Sequence, residues 1–297
     1  MNIDKWYGNA LKEVRIFGSR EVNKRTGVEC EAAPGLTFQT DLLESGFPLL
    51  SLRKLPIKNF VAEQMWFLGG EDRVQWLSQH TKIWDSFAEA DGRVTSAYGK
   101  RWRRHFALPE ELQKWSHGKI VSDRKLDQLE AVLEKLESDP SSRQGVVMMW
   151  DPTEDLLVPQ KNVPCPYTFT LNIIGRRLHL HLVVRSNDMV LGFPTDVAGF
   201  ALLQMVLAQR LGVKPGTYTH SISNAHVYAN HYDAANTMVE RWGETEVDPI
   251  TPIRFSLPED SYERARRLDE HWLREVVDAI SPQYLPHPAI SGLLISK

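Results

Sequence analysis

Two runs of alternating character, Tyr167 to Ile174 and Leu178 to Val184, meet at Gly175 and place the strongest constraint on the fold. In the second run Leu178, Leu180, Leu182 and Val184 alternate with His179, His181 and Val183. That is the period of a strand with one face turned to a core. Two such runs joined at a glycine predict an antiparallel pair, which needs more strands and a covering layer to bury its apolar side. Both are legible. Leu126, Leu129, Val132, Leu133 and Leu136 fall at helical spacing, and Asp139-Pro140 ends that run. The stretch Gly145 to Trp150 is a short continuous apolar run, which predicts a strand buried on both faces. Thr195 to Leu211 reads as a buried helix with Thr195 or Asp196 near its start and Gly212 closing it. A strand around Tyr218 to Ile222 and a helix from about His231 to Trp242 follow. These elements do not alternate as a βαβ series, so the expected class is α+β, a mixed sheet with packed helices. No repeat, low-complexity tract or Gly/Ser linker divides residues 1–297, and a single domain is expected.

Charge and cysteine usage narrow the function. With 35 Lys+Arg against 38 Asp+Glu, the net charge of -3 argues against a bulk nucleic-acid binder. Cys30 and Cys165 cannot make a disulfide framework and suit a reducing compartment. The opening residues lack the basic start and apolar run of a signal peptide, and no apolar stretch reaches the ~20 residues needed to cross a bilayer. A cytoplasmic enzyme without a membrane or nucleic-acid partner is the expected class.

Cys165 is clamped between Pro164 and Pro166 at the mouth of a predicted strand. A lone cysteine is usually a small buried hydrophobe. A nucleophilic one needs a positive neighbour that favours the thiolate. The hairpin supplies one, because antiparallel pairing about Gly175 returns Arg185 toward Cys165. Arg185 beside Ser186 is also a fork for phosphate oxygens, and Arg25 and Arg143 follow the same logic. Taken singly, each would be read as a surface arginine.

Short motifs in order along the chain carry a resemblance to the thymidylate synthase family. They are Arg25-Thr26-Gly27, Phe47-Pro48-Leu49-Leu50, Glu63 with Trp66-Phe67-Leu68 and Gly70, Ile83-Trp84-Asp85 and Tyr98-Gly99. Further on stand Ser142-Arg143, Pro164-Cys165, Arg185-Ser186-Asn187-Asp188, Gly192-Phe193-Pro194, Ala225-His226-Val227-Tyr228 and Asn230-His231. The resemblance implies a mixed sheet with helices and a homodimer packed sheet to sheet. It implies Cys165 as the nucleophile at C6 of a pyrimidine. Arg25, Arg185, Ser186 and, from the second subunit, Arg143 would hold the 5′-phosphate, and His226 and Tyr228 the sugar hydroxyl. Glu63 would relay protons; it stands in an apolar run, where desolvation raises a carboxyl into a useful range. Ile83, Trp84 and Asp188 would line a folate site, with Arg53 at the folate tail. The implied co-substrate is 5,10-methylenetetrahydrofolate, and no metal is expected.

Four departures from the family pattern set the expected chemistry. Asp196 stands where these synthases carry an asparagine that reads uracil. A carboxylate accepts from the N4 amine of cytosine, and again from N3 once it is protonated, whereas uracil O4 would find no donor. Outside this family context an Asp near a helix start is an ordinary cap. Pro166 replaces the histidine that usually follows the nucleophile, and Gln144 replaces a second phosphate arginine. The sequence ends Leu293-Leu294-Ile295-Ser296-Lys297, without the Ala-Val-type terminus that closes over folate. Looser closure would let water add to the methylene in place of hydride. The expected activity is 5-hydroxymethyl transfer to a cytosine nucleoside monophosphate, dCMP, since Ser186 matches the deoxynucleotide members. The alternatives are CMP hydroxymethylation, reductive methylation of dCMP or dUMP, and an inactive relative that binds nucleotide or RNA.

Overall fold

The computed structural model describes residues 2–24, 26–115, 120–121, 124–245 and 252–295. Its elements are α1 (Ile3–Phe17), β1 (Ser19–Val22), β2 (Glu29–Asp41), α2 (Leu42–Ser45), α3 (Ile57–Leu68), α4 (Tyr98–Arg103), β3 (Ile120–Val121), β4 (Lys125–Leu126), α5 (Gln128–Ser138), β5 (Val146–Met148) and α6 (Pro152–Leu157). Then follow β6 (Pro166–Ile174), β7 (Arg177–Val184), β8 (Asn187–Asp188), α7 (Gly192–Arg210), β9 (Lys214–Tyr228), α8 (Tyr232–Thr245), α9 (Ser261–Arg266) and α10 (Glu270–Ile280).

The hairpin that organised the sequence is the pair β6–β7. Gly175 and Arg176 close it with φ of 60° and 59°. Two consecutive left-handed residues are what a two-residue turn needs if its twist is to match that of the strands. The pairing carries Arg185 back to Cys165, with a backbone bond from Arg185 N to Cys165 O of 2.9 Å.

The main sheet runs β1-β2-β9-β7-β6-β5, with β8 also on β9. β7 and β8 lie parallel to β9, and the other pairs are antiparallel, so the sheet is mixed as expected. One face of each long strand is buried: Phe169 and Leu171 of β6, Leu178, Leu180, Leu182 and Val184 of β7, and Tyr218 and Ile222 of β9. Two helices that are apolar nearly all round sit in this core. α3 buries Phe60, Val61, Met65, Trp66 and Phe67, and α7 buries Phe193, Val197, Phe200, Leu203 and Val206. The two pack against each other, and α7 also lies on β7 and β9. The intervening positions of the sheet (Thr168, Thr170, Asn172, His181, Thr219) are half-buried or exposed.

Two expectations change. Val146 to Met148 forms the edge strand β5, and Val146 and Met148 are 43% and 37% exposed while Val147 is buried. The apolar run is therefore buried on one face only, because the helical layer that contains α3 and α7 covers one face of the sheet and nothing among the described residues covers the other at β5. α7 begins at Gly192, so Asp196 lies inside the helix and does not cap it. Pro194 explains the early start: in a first turn its missing N–H is not required. No helix among the described residues is long and apolar enough to cross a membrane.

Candidate active site

The elements around α3, α4, β6, β8, α7 and β9 enclose a cavity of about 410 Å³. Its wall includes Glu63, Ile83, Trp84, Cys165, Arg185, Ser186, Asp188, Asp196, His226 and Tyr228. The structure thus brings ten of the residues expected from sequence to one place, from six separate stretches of chain. Arg53 lies in a neighbouring cavity of about 330 Å³ that shares Glu63, Ile83, Leu191 and Ile295 with the first. Arg143 is exposed and lines neither cavity. Arg25 lies outside the described residues.

Cys165 and Arg185 are locked together by the hairpin. Arg185 Nε donates to Pro164 O and Nη2 to Val163 O, both at 2.9 Å, and Nη2 also lies 3.8 Å from Cys165 Sγ. A fixed guanidinium beside a thiol favours the thiolate by charge. Tyr98, at the start of α4, comes within 3.5 Å of Cys165 N through its hydroxyl.

Two carboxyls face the same space in low-dielectric surroundings. Glu63, on the buried helix α3, is 7% exposed and accepts from Trp84 Nε1 at 2.5 Å. Burial pushes it up to about 8; the Trp84 bond works against this and the charge of Asp196 adds to it. A carboxyl that titrates near neutrality can hold or give a proton. Asp196, half-buried on the second turn of α7, accepts from Asn187 Nδ2 at 2.9 Å. Enclosure pushes it up to about 7, opposed by the Asn187 bond and helped by the Asp188 charge.

The remaining wall is built from loop and strand ends. Asp188 Oδ1 accepts from the backbone N–H of Val190 and Leu191 at 2.8 and 3.2 Å, which shapes the entry to α7. His226 Nδ1 lies 3.1 Å from Asn224 Oδ1, so Nδ1 carries the proton and Nε2 is an acceptor. Burial holds His226 below the usual histidine range, with Asp188 pulling the other way. Trp84 packs edge-on to Phe67 and Tyr98. Arg53, 6% exposed, donates from Nη2 to Val190 O at 2.7 Å, while its buried Nε has no partner among the described residues.

Sequence reasoning gave no role to several wall residues. Tyr98 and Asn187 stand inside the family motifs and carry no chemical signal of their own. Glu21, Asn23, Cys30, Phe87, Asn162, Asn224 and Ile295 also line the cavity. Only pairing of β2 with β9 brings Cys30 beside Tyr228, through the register Cys30↔Tyr228. Away from the cavity His105, Asp151 and Glu154 converge, but there the Arg101 guanidinium supplies the positive charge, 3.2 Å from Glu154 and 3.8 Å from Asp151.

A family model described as thymidylate synthase matches residues 5–291. A thymidylate synthase of Haloferax volcanii is 37% identical over 223 residues, which make up 72% of this chain and 64% of that relative. The chain therefore spans less than two thirds of the relative's length. Within that match the cavity draws its wall from Glu21 through Tyr228, with Ile295 just beyond it, and on that match the chain belongs to the thymidylate synthase family.

Proposed function

We propose that the chain transfers a hydroxymethyl group from 5,10-methylenetetrahydrofolate to C5 of a cytosine nucleoside monophosphate, dCMP. The observation that carries this reading is the Asp196 carboxylate on the cavity wall, held by an amide donor from Asn187. A carboxylate in that setting accepts from the cytosine N4 amine and favours a proton on N3. Uracil O4 would stand unpaired against it, at a cost of about 1–3 kcal/mol.

The other wall residues support covalent catalysis. Pyrimidine C5 is a weak nucleophile. Addition of the Cys165 thiolate to C6 makes C5 enamine-like and divides one hard step into two easier ones. Arg185 sits where it stabilises that thiolate. Ser186 beside it, with Arg143 of a second subunit and Arg25, would hold the phosphate; His226 and Tyr228 would meet the sugar hydroxyl. Glu63 is suited to move the protons. The folate supplies a one-carbon unit at the oxidation level of formaldehyde, so water completes the hydroxymethyl group and no hydride is consumed. The neighbouring cavity fits such a co-substrate: Phe60, Leu55, Ile83 and Leu191 give it apolar walls, and the unpartnered Arg53 Nε offers a donor for a carboxylate. Trp84 and Asp188 would stand on the side toward the nucleotide.

Reductive methylation is the second reading, and Leu293 and Ile295 favour it. Both line the second cavity and Ile295 lines the first as well, a cover of the kind that excludes water. Incubation with methylenetetrahydrofolate and each of dCMP, CMP and dUMP, followed by mass analysis of the nucleotide, separates the two. The expected product is 5-hydroxymethyl-dCMP with tetrahydrofolate. A methylated product with dihydrofolate would overturn the proposal. Asp196→Asn should lower kcat/KM on dCMP by about 10²-fold or more, since it removes a charged hydrogen-bonding group. The gain on dUMP should be small, because Pro166 brings no histidine to the O4 side. An unchanged dCMP-to-dUMP ratio would remove Asp196 from base reading.

A further inference from the structure

Asp196 is the end of a chain of buried side chains that the proposed chemistry leaves unused. Asn187 Nδ2 lies 2.9 Å from Asp196 Oδ2, Asn187 Oδ1 lies 2.9 Å from His220 Nε2, and His220 Nδ1 lies 2.9 Å from the Tyr218 hydroxyl. Asn187 is 2% exposed, and His220 and Tyr218 are fully buried. An ionised carboxylate only accepts, so the Asn187 amide must turn its NH₂ toward Asp196 and its oxygen toward His220. His220 must then carry its proton on Nε2, and Nδ1 must accept from the Tyr218 O–H. Every donor points toward Asp196. The logic needs a neutral imidazole, and burial pushes His220 down to about 3.

A reversed arrangement satisfies the same three distances. A protonated Asp196 would donate to the amide oxygen, the amide NH₂ to Nε2, and Nδ1–H to the Tyr218 oxygen. The Tyr218 proton would then need another acceptor, and His220 is the only hydrogen-bond partner of its hydroxyl among the described residues. A buried hydroxyl with no acceptor is costly, so the reversed chain is the poorer one. Tyr218 decides the direction.

We propose that Tyr218, acting through His220 and Asn187, fixes the polarity of this chain and so holds Asp196 as a hydrogen-bond acceptor toward the base. The three are positioning residues for base choice, and this inference rests on the reading of Asp196 as the group that recognises cytosine. Other titratable groups face Asp196 too: Glu63 from α3, Tyr98 from α4 and Asp188 from β8. All three are retained in the variants below, so differences between proteins isolate the relay.

The test is calorimetric binding of dCMP and dUMP from acid to alkaline pH, on the full chain and on Tyr218→Phe, Asn187→Ala and His220→Gln, with melting temperatures alongside. Tyr218→Phe removes the bias between the two directions. Its dCMP affinity should fall about tenfold at neutral pH, equivalent to about one pKa unit at Asp196, and return as the pH is raised. Its dUMP affinity should change less. Asn187→Ala deletes the donor itself and should show a loss at least as large, which gives a second route should Tyr218→Phe fold poorly. His220→Gln keeps an N–H toward Asn187 and an acceptor toward Tyr218, and should retain most of the dCMP affinity. A loss in Tyr218→Phe and Asn187→Ala that is the same at every pH and for both nucleotides would reduce the relay to a structural role. A parent chain that prefers dUMP overturns the cytosine reading and this inference with it. A parent that prefers dCMP, with variants that keep its pH profile, overturns the relay alone.

Discussion

Glu63 is where stability and chemistry pull against each other. Its folded-state pKa of about 8 lies above its usual 4.5, so between those values the folded chain keeps a proton that the unfolded chain releases. Bound protons are then fewer in the unfolded state, and stability falls as pH rises through that window. Glu63→Gln cancels the penalty. It should stabilise the folded chain at pH values above the window by on the order of a few kcal/mol, read as a higher melting temperature, and leave the melting temperature nearly unchanged at acid pH. Turnover should drop at the same time, since the amide moves no proton. An equal shift of melting temperature at all pH values would exclude the linkage. Cys165→Ala should abolish turnover and spare nucleotide binding, because only the covalent step is removed. Clear residual transfer by that variant would take Cys165 out of the mechanism.

The elements place these side chains by close backbone approach. Gly99, in the first turn of α4, faces the end of α3: a Cβ built there would meet Phe67 O at 2.2 Å and Phe67 Cα at 2.5 Å. Backbone cannot yield as a flexible side chain does, so Gly99→Ala must push α4 off α3. Tyr98 and Trp84 ride on that contact, and the expected cost is about 3 kcal/mol of stability, with weaker turnover. Urea unfolding with an unchanged midpoint would show that the helices separate freely. α7 shows the reverse case, in which an element boundary determines a role. Read as a cap, Asp196 would be spent on its own helix. Placed one turn further in, its side chain meets Asn187 and the cavity.

For the whole molecule the telling surface is the second face of the sheet. Its half-buried polar positions and the exposed Val146, Met148 and Ile174 fit a sheet-to-sheet homodimer, and Arg143, outside both cavities of its own chain, fits a site completed by the second subunit. Mixing inactive Cys165→Ala with inactive Arg143→Ala subunits should restore part of the activity through hybrid dimers. A monomer in sedimentation, or no restoration despite proven exchange, would refute this. Local period and turn chemistry make several features legible in the residues alone: the β6–β7 hairpin about Gly175, the return of Arg185 to Cys165, and the apolar character of α3 and α7. The sequence also carries the motifs that mark the family, because those residues sit in short contiguous runs. Tertiary structure alone decided what depends on neighbours far apart in the chain. β5 is an edge strand because no strand among the described residues pairs beyond it, which an apolar run cannot announce. Asn187 meets the His220–Tyr218 pair of β9 only because the fold brings β8 onto β9. A buried asparagine, histidine and tyrosine carry no signal singly. Their meaning lies in the direction of the hydrogen bonds between them, and that direction exists only once the strands have met.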